Sequence, residues 1–147
     1  KQIKIPKVNV IEGGKERSDS SFKALKYLKN KKIKNVFIHD AARPNFSINL
    51  LKTLKKHLKY NKAVVPYINT NNSTKYNNRN NVINLERKKI LLTQTPQCFD
   101  FKALYNLSKN NKTPVTDEAA LFLNNKKKNK IYQRWRKKYK NNKKIWS

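Results

Sequence analysis

Hydrophobic residues fall along this chain in two alternating rhythms, short unbroken runs and stripes spaced three or four apart. That alternation predicts strands exchanging with amphipathic helices. Val8-Asn9-Val10-Ile11 reads as a first strand running into Gly13-Gly14, after which Ser18 or Asp19 can cap a helix carrying Phe22, Leu25 and Leu28. Asn35–Ile38 predicts a second strand, Ser47 the cap of a helix with Ile48, Leu51, Leu54 and Leu58 on one face, and Ala63-Val64-Val65-Pro66 a third strand. Residues 70–81 are polar and Asn-rich, with Tyr76 their large apolar side chain, so disorder competes with an ordered excursion. The runs Val82-Ile83-Asn84-Leu85 and Ile90-Leu91-Leu92 argue for the excursion, an arm over about residues 69–92 that packs on something, often another subunit. Thr95-Pro96-Gln97 opens a loop to a helix over Phe101, Leu104 and Leu107, and Thr116 is placed to cap a last helix with Asp117 and Glu118 in its first turn. The order of elements implies crossover units and a largely parallel sheet.

His39-Asp40-Ala41-Ala42-Arg43-Pro44 follows directly on the apolar run Val36-Phe37-Ile38. This puts a carboxylate and a guanidinium at the carboxyl end of a strand, the edge of an open α/β sheet where ligands sit. Ala41 and Ala42 leave the backbone uncovered, and Pro44 stiffens the turn. Asp40 can hold a metal or a sugar hydroxyl and Arg43 a phosphate. The competing reading is that the two pair with each other or cap the next helix, although capping requires neither the alanine pair nor the arginine.

Composition adds a strong positive field. The 147 residues carry 36 Lys and Arg against 8 acidic side chains, a formal charge of +28. The lysines are spread along the chain rather than gathered in a nucleic-acid-binding motif, and A/T-rich codons explain the Lys, Asn and Ile excess as simply as a partner does. A dedicated nucleic-acid function is therefore disfavoured, and an anionic small substrate is favoured. The single Cys98 excludes an internal disulfide and reads as a small buried hydrophobe, and the two histidines form no zinc-type pair. With no apolar run of membrane-spanning length and no signal-peptide pattern, a soluble cytoplasmic protein without membrane contact is expected.

Several patches recur in a fixed order: Gly13-Gly14 with Arg17 and Ser20, then His39 to Pro44, Asn72 to Lys75, Thr93 to Gln97, and Thr116 to Ala119. In this order, over about residues 7–125, the chain resembles the 2-C-methyl-D-erythritol 4-phosphate cytidylyltransferases of the non-mevalonate isoprenoid pathway. The resemblance implies an α/β fold with a doubly wound, mostly parallel sheet of the nucleotide-diphospho-sugar transferase (Rossmann-like) type and a protruding β-arm. It implies a magnesium-dependent reaction of CTP with methylerythritol phosphate that releases pyrophosphate. By the same resemblance Gly14 and Ser20 face the cytosine, while Asp40 and Arg43 lie between the ribose and the methylerythritol group. Asp40 is also the candidate metal ligand. Ser73, Arg87, Thr95 and Thr116 fall on substrate positions, and the arm makes a homodimer by crossing to the neighbouring subunit. Asn72-Ser73-Thr74-Lys75 departs from the family's Asp-Thr-x-Lys, so the acidic residue becomes Asn72. For Arg17 a surface ion pair with Glu12 or Glu16 competes with a site role.

Two departures qualify the resemblance. Family members begin with a strand and a glycine-rich loop carrying an arginine, followed by Pro-Lys-Gln, whereas the glycines here number two and both lie in the Gly13-Gly14 patch. Residues 1–130 are therefore expected to be an incomplete cytidylyltransferase domain, inactive or nearly so alone. The basic tail, residues 131–147, lacks periodicity. Its A/T-rich codons read one base later can encode Tyr-Ile-Lys-Asp-Gly-Glu-Lys-Asn-Ile-Lys-Ile-Thr, the family ending, which predicts a frameshift. The alternative is a natural tail in which Trp135, Tyr139 and Trp146 stack on RNA or face anionic surfaces. Rival functions are a ribitol-phosphate cytidylyltransferase or another nucleotide-sugar pyrophosphorylase, which share the Asp-Ala-Ala-Arg-Pro string, and a basic nucleic-acid-binding module.

Overall fold

The computed structural model describes residues 8–79 and 81–124, so the proposed frameshift and the tail aromatics lie outside the described residues. Its elements run α1 (Arg17–Leu28), β1 (Asn35–Ile38), α2 (Ile48–Leu58), β2 (Ala63–Val64), β3 (Tyr67–Asn69), β4 (Thr74–Asn78), β5 (Asn81–Leu85), a 3-10 turn (Arg87–Lys89), β6 (Leu91–Thr93), β7 (Gln97–Asp100), α3 (Phe101–Asn110) and α4 (Glu118–Asn124). Helix and strand alternate from α1 to β2, as the hydrophobic pattern predicts, after which six strands, β2 to β7, follow one another with the 3-10 turn among them and α3 and α4 close the described residues.

The central sheet has the order β1-β7-β2. Alternation along β7 sorts its side chains onto two faces. Phe99 pairs with Val36 and Ala63, and Cys98 pairs with Phe37 and Val64. The Phe99 face is covered by Leu25 of α1, Leu104 of α3 and Phe122 of α4, all buried, with the Phe99 and Phe122 rings stacked at 5.4 Å. The Cys98 face is covered by Leu54 and Leu58 of α2. Helices thus lie on both sides of the sheet, the arrangement of a doubly wound α/β domain.

Pairing direction departs from the expected mostly parallel sheet, since every ladder among the described residues is antiparallel. The crossover through α2 does set β1 and β2 parallel to each other, as alternation requires. β7, however, returns from the arm in the opposite direction and inserts between them. A strand delivered by a long excursion is not bound by the crossover rule, so its direction is invisible to periodicity.

Other boundaries shift for identifiable reasons. Residues 8–11 form no strand: Val8 and Val10 are exposed and no described strand pairs with them. The N-cap of α1 is Glu16, not Ser18 or Asp19, and the Asp19 carboxylate reaches back to accept from the Glu16 N–H at 3.2 Å. Ser47 caps α2 as expected, accepting from the Leu50 N–H at 3.2 Å. At α4 the cap is Asp117, which accepts from the Ala120 N–H at 3.1 Å, so Thr116 lies one residue outside the expected role.

The stretch from 67 to 93 is an ordered β-ribbon rather than a disordered loop. β3 pairs with β6 at its base, and β4 pairs with β5 beyond, Tyr76 opposite Ile83. The hairpin turns at Arg79 with φ of 50°, a left-handed conformation that suits the tight reversal but is unfavourable for a residue with a side chain.

Candidate active site at the carboxyl edge of the sheet

β1 ends at Ile38, and the next residues make the turn the sequence singled out. The Arg43 N–H donates to the Asp40 carbonyl at 3.0 Å, closing a tight loop around Ala41 and Ala42, both exposed. His39 braces it: its Nε2 lies 2.7 Å from the Arg43 carbonyl, and its ring meets Phe46 edge-on at 4.6 Å. Because Nε2 faces a carbonyl it carries the proton, which leaves the buried Nδ1 without a partner.

Asp40 and Arg43 do pair, Nε to Oδ2 at 3.4 Å, so the bland reading of this couple is correct as far as it goes. The pair is also tied to its surroundings. The Arg43 Nη1 donates to Gln94 Oε1 at 2.9 Å, and the Asp40 N–H donates to the Thr95 hydroxyl at 3.3 Å. Thr95 and Gln94 arrive on the loop that enters β7, whose first residue, Gln97, is in register with Ile38. The antiparallel insertion of β7 is therefore what brings Thr95 to Asp40.

Arg17 does not form the ion pair with Glu12 or Glu16, one of the two readings weighed for it, among the described residues. Its Nη1 donates to both oxygens of Glu118 at 2.9 Å, and its Nη2 lies 4.0 Å from Asp40 Oδ1. Glu118 is 2% exposed, and an uncompensated carboxylate at such a depth is strongly disfavoured, so the guanidinium is its needed counter-charge. Gly14 and Ser20 also come together, the Gly14 N–H donating to Ser20 Oγ at 2.9 Å. A Cβ at Gly14 would lie 2.2 Å from that of Asp19, so glycine serves the close approach of this turn to α1.

Ser73 and Arg87 lie on the ribbon, at the entry to β4 and the exit of β5. Both are exposed, and the Arg87 Nη1 donates to the Asn71 carbonyl at 3.4 Å. Thr116 is exposed ahead of α4. Among the described residues no hydrogen bond or ion pair joins Ser73, Arg87 or Thr116 to Asp40 and Arg43. Beside Thr116, Asp117 Oδ2 accepts from Gln97 Nε2 at 2.9 Å and from Thr93 Oγ1 at 3.3 Å, binding α4 to the base of the ribbon.

No group of three or more His, Cys, Asp or Glu among the described residues is arranged to hold a metal ion. Asp40 directs its oxygens at two guanidinium groups, which leaves it at most one ligand of a magnesium ion held mainly by other oxygens. Cys98 is fully buried, and burial pushes its thiol up to about 12, so it is inert as expected. A cavity of about 200 Å³ between α1, α3 and the segment before α4 is lined by Phe22, Lys112, Val115 and Leu121 among others, and by neither Asp40 nor Arg43. No helix among the described residues is long and apolar enough to cross a membrane.

Sequence reasoning passed over Glu118 as ordinary helix-start chemistry. Its signal was positional: Glu118 stands three and four residues before Leu121 and Phe122, on the stripe that enters the core.

A sheet with helices on both faces and a turn carrying Asp40 and Arg43 at its carboxyl edge is the arrangement of a doubly wound α/β protein. The profile of 2-C-methyl-D-erythritol 4-phosphate cytidylyltransferase matches residues 1–133, and the chain belongs to that family. It is 48% identical over 131 residues, 89% of its length, to the bifunctional enzyme IspD/IspF of Pelagibacter ubique, of which it covers 35%. With the 2-C-methyl-D-erythritol 4-phosphate cytidylyltransferase of Petrotoga mobilis it shares 36% identity, covering 78% of this chain and 53% of the relative. The crystal structure of the Francisella tularensis enzyme of the same name superposes with a TM-score of 0.74 at 30% identity, over 90% of this chain and 64% of that one. The chain thus spans about a third to two thirds of the length of these proteins.

Proposed function

We propose that the protein containing this chain joins CTP to 2-C-methyl-D-erythritol 4-phosphate, giving CDP-methylerythritol and pyrophosphate. The observation that carries this reading is the exposed Ala41-Ala42 backbone between Asp40 and Arg43 at the carboxyl end of β1, in a chain of this family. An oxygen of the methylerythritol phosphate attacks the α-phosphorus of CTP; the new P–O bond forms as the bond to the β-phosphate oxygen breaks, and pyrophosphate leaves with that electron pair. No covalent enzyme intermediate is needed, so positioning and charge neutralisation supply the catalysis.

In this reading the Gly14–Ser20 turn receives the cytosine, and Asp40 and Arg43 hold the ribose and the methylerythritol group. Thr95, whose hydroxyl accepts from the Asp40 N–H, serves the same substrate, a role this contact supports. Ser73 and Arg87, carried outward by the ribbon, serve the site of a second copy in a homodimer, where the arginine binds the substrate phosphate. Thr116 contributes a further hydroxyl. Asp40 would be this chain's contribution to holding a magnesium ion, which would supply neutralisation of triphosphate charge.

Pyrophosphate release by the full-length protein tests the proposal. Turnover with CTP and methylerythritol phosphate, lost on the order of a hundredfold in Arg43→Ala, is the expected result. Preference for ribitol phosphate, or no pyrophosphate with either acceptor, would overturn it.

A further inference from the structure

The ion pairs at the sheet edge form one line of alternating charge. Glu118 of α4 holds Arg17 of α1, Arg17 faces Asp40, Asp40 pairs with Arg43, and Arg43 ends on Gln94. The line is anchored at one end only. Glu118 is 2% exposed, whereas the side chains of Arg17, Asp40 and Arg43 are 38, 36 and 53% exposed. A buried carboxylate that meets one guanidinium nitrogen with both oxygens fixes that side chain far better than an exposed partner could. The other nitrogen, Nη2, is thereby presented to Asp40 Oδ1 at 4.0 Å, the oxygen other than the one that pairs with Arg43.

We infer that Glu118 is a positioning residue: acting through Arg17, it sets the orientation of the Asp40 carboxylate at the ligand edge. The inference rests on the assignment of Asp40 to the substrate site. The placement of Arg17 supports it, because Arg17 is the first residue of α1 and stands three before Ser20, whose hydroxyl holds the Gly14 turn. One side chain thus joins the turn proposed for the base to the carboxylate proposed for the sugar and acceptor. Neither a helix cap nor a simple core charge pair requires the second nitrogen to face Asp40.

Arg17→Lys separates the two functions of the arginine. A single ammonium can still neutralise Glu118, but it has no second arm for Asp40. Glu118→Gln removes the charge with little change of shape. Both variants, with the double variant, are compared in the full-length protein using CTP and methylerythritol phosphate as probes and the Asp40 carboxyl carbon resonance as a readout independent of turnover.

The expected result is a fall in kcat of about ten- to a hundredfold in each single variant. The double variant should be no worse than Arg17→Lys, and the Asp40 resonance should move in both singles without moving further in the double. A purely structural Glu118 would lower Tm while leaving kcat of the folded protein and the Asp40 signal unchanged, and that outcome overturns the inference. Independent, multiplying losses in the double variant overturn it as well. Absence of wild-type turnover would instead overturn the proposed reaction, and the resonance comparison would still decide the role of Glu118.

Discussion

Phe99 is fully buried between the sheet and the ring of Phe122, whereas Tyr76, in the middle of the β4–β5 hairpin, keeps 53% of its surface exposed. The same contrast separates further apolar side chains of the two regions. In the body, β7 is sandwiched by Leu54, Leu58, Leu104 and Phe122, all buried; in the ribbon, Ile68, Val82, Ile83, Leu91 and Leu92 are all exposed. Both regions have complete antiparallel ladders, so backbone pairing is common to them and burial separates them. The body derives its order from apolar contact within one chain. The ribbon presents apolar side chains that a second chain, in the proposed dimer, would cover.

The largest test of that contrast is a matched pair of truncations. Phe99→Ala should cost about 3–5 kcal/mol in urea unfolding, while Tyr76→Ala should cost less than about 1 kcal/mol in the monomer. Cys98 reports the same opening chemically: its buried thiol should resist a thiol reagent at pH 8 until the body unfolds. On the ribbon, Ile83→Lys should leave Tm nearly unchanged yet weaken self-association of the full-length protein by roughly tenfold or more in sedimentation. Equal loss of Tm in Phe99→Ala and Tyr76→Ala would erase the distinction.

Smaller effects sharpen it. Asp100 caps α3 by accepting from the Ala103 N–H at 2.9 Å and pairs with Lys62 at 2.9 Å. Burial alone would raise its carboxyl, but the Ala103 N–H and the Lys62 ammonium outweigh it and hold the group below its ordinary 3.8. The folded state therefore binds fewer protons than the unfolded one in acid. This contribution is complete above the unfolded value and is lost as the pH falls through the lower folded value. Asp100→Ala should cost about 1 kcal/mol at neutral pH and flatten the acid limb of a stability–pH curve. Smallest of all, Arg79→Gly relieves the positive φ at the hairpin tip and should protect the hairpin amides in hydrogen exchange by less than about 1 kcal/mol, with no change in the body.

The legibility of these regions from sequence follows the same division. α2, α3, β1 and the apolar faces of the body were readable because burial imposes a period, and Ser47 announced its helix as a capping residue should. The strand direction of β7 was not readable, since it depends on where a long excursion returns the chain. Val8 to Ile11 had the pattern of a strand but no described partner strand, a condition that no local window contains. At the site, the turn from His39 to Pro44 was recognisable from its composition, whereas Thr95 entered through the family resemblance and its bond to the Asp40 backbone was not read from the sequence. For Arg17 the nearby Glu12 and Glu16 were weighed against a site role, while the partner it takes, Glu118, stands 101 residues away. Charge pairing over that distance is decided by packing, and the clue was an acid lodged in an apolar stripe.

Asp117 uses one carboxylate oxygen to cap α4 and the other to receive Gln97 and Thr93. Mechanically it is a single fastener through a helix, the central strand and the root of the ribbon. The joint sets the root of the ribbon at Thr93 against the start of α4, where the residue after Asp117 is Glu118. Two successive residues at the start of α4 thus hold different parts of the molecule, Asp117 the root of the ribbon and Glu118 the Arg17 guanidinium.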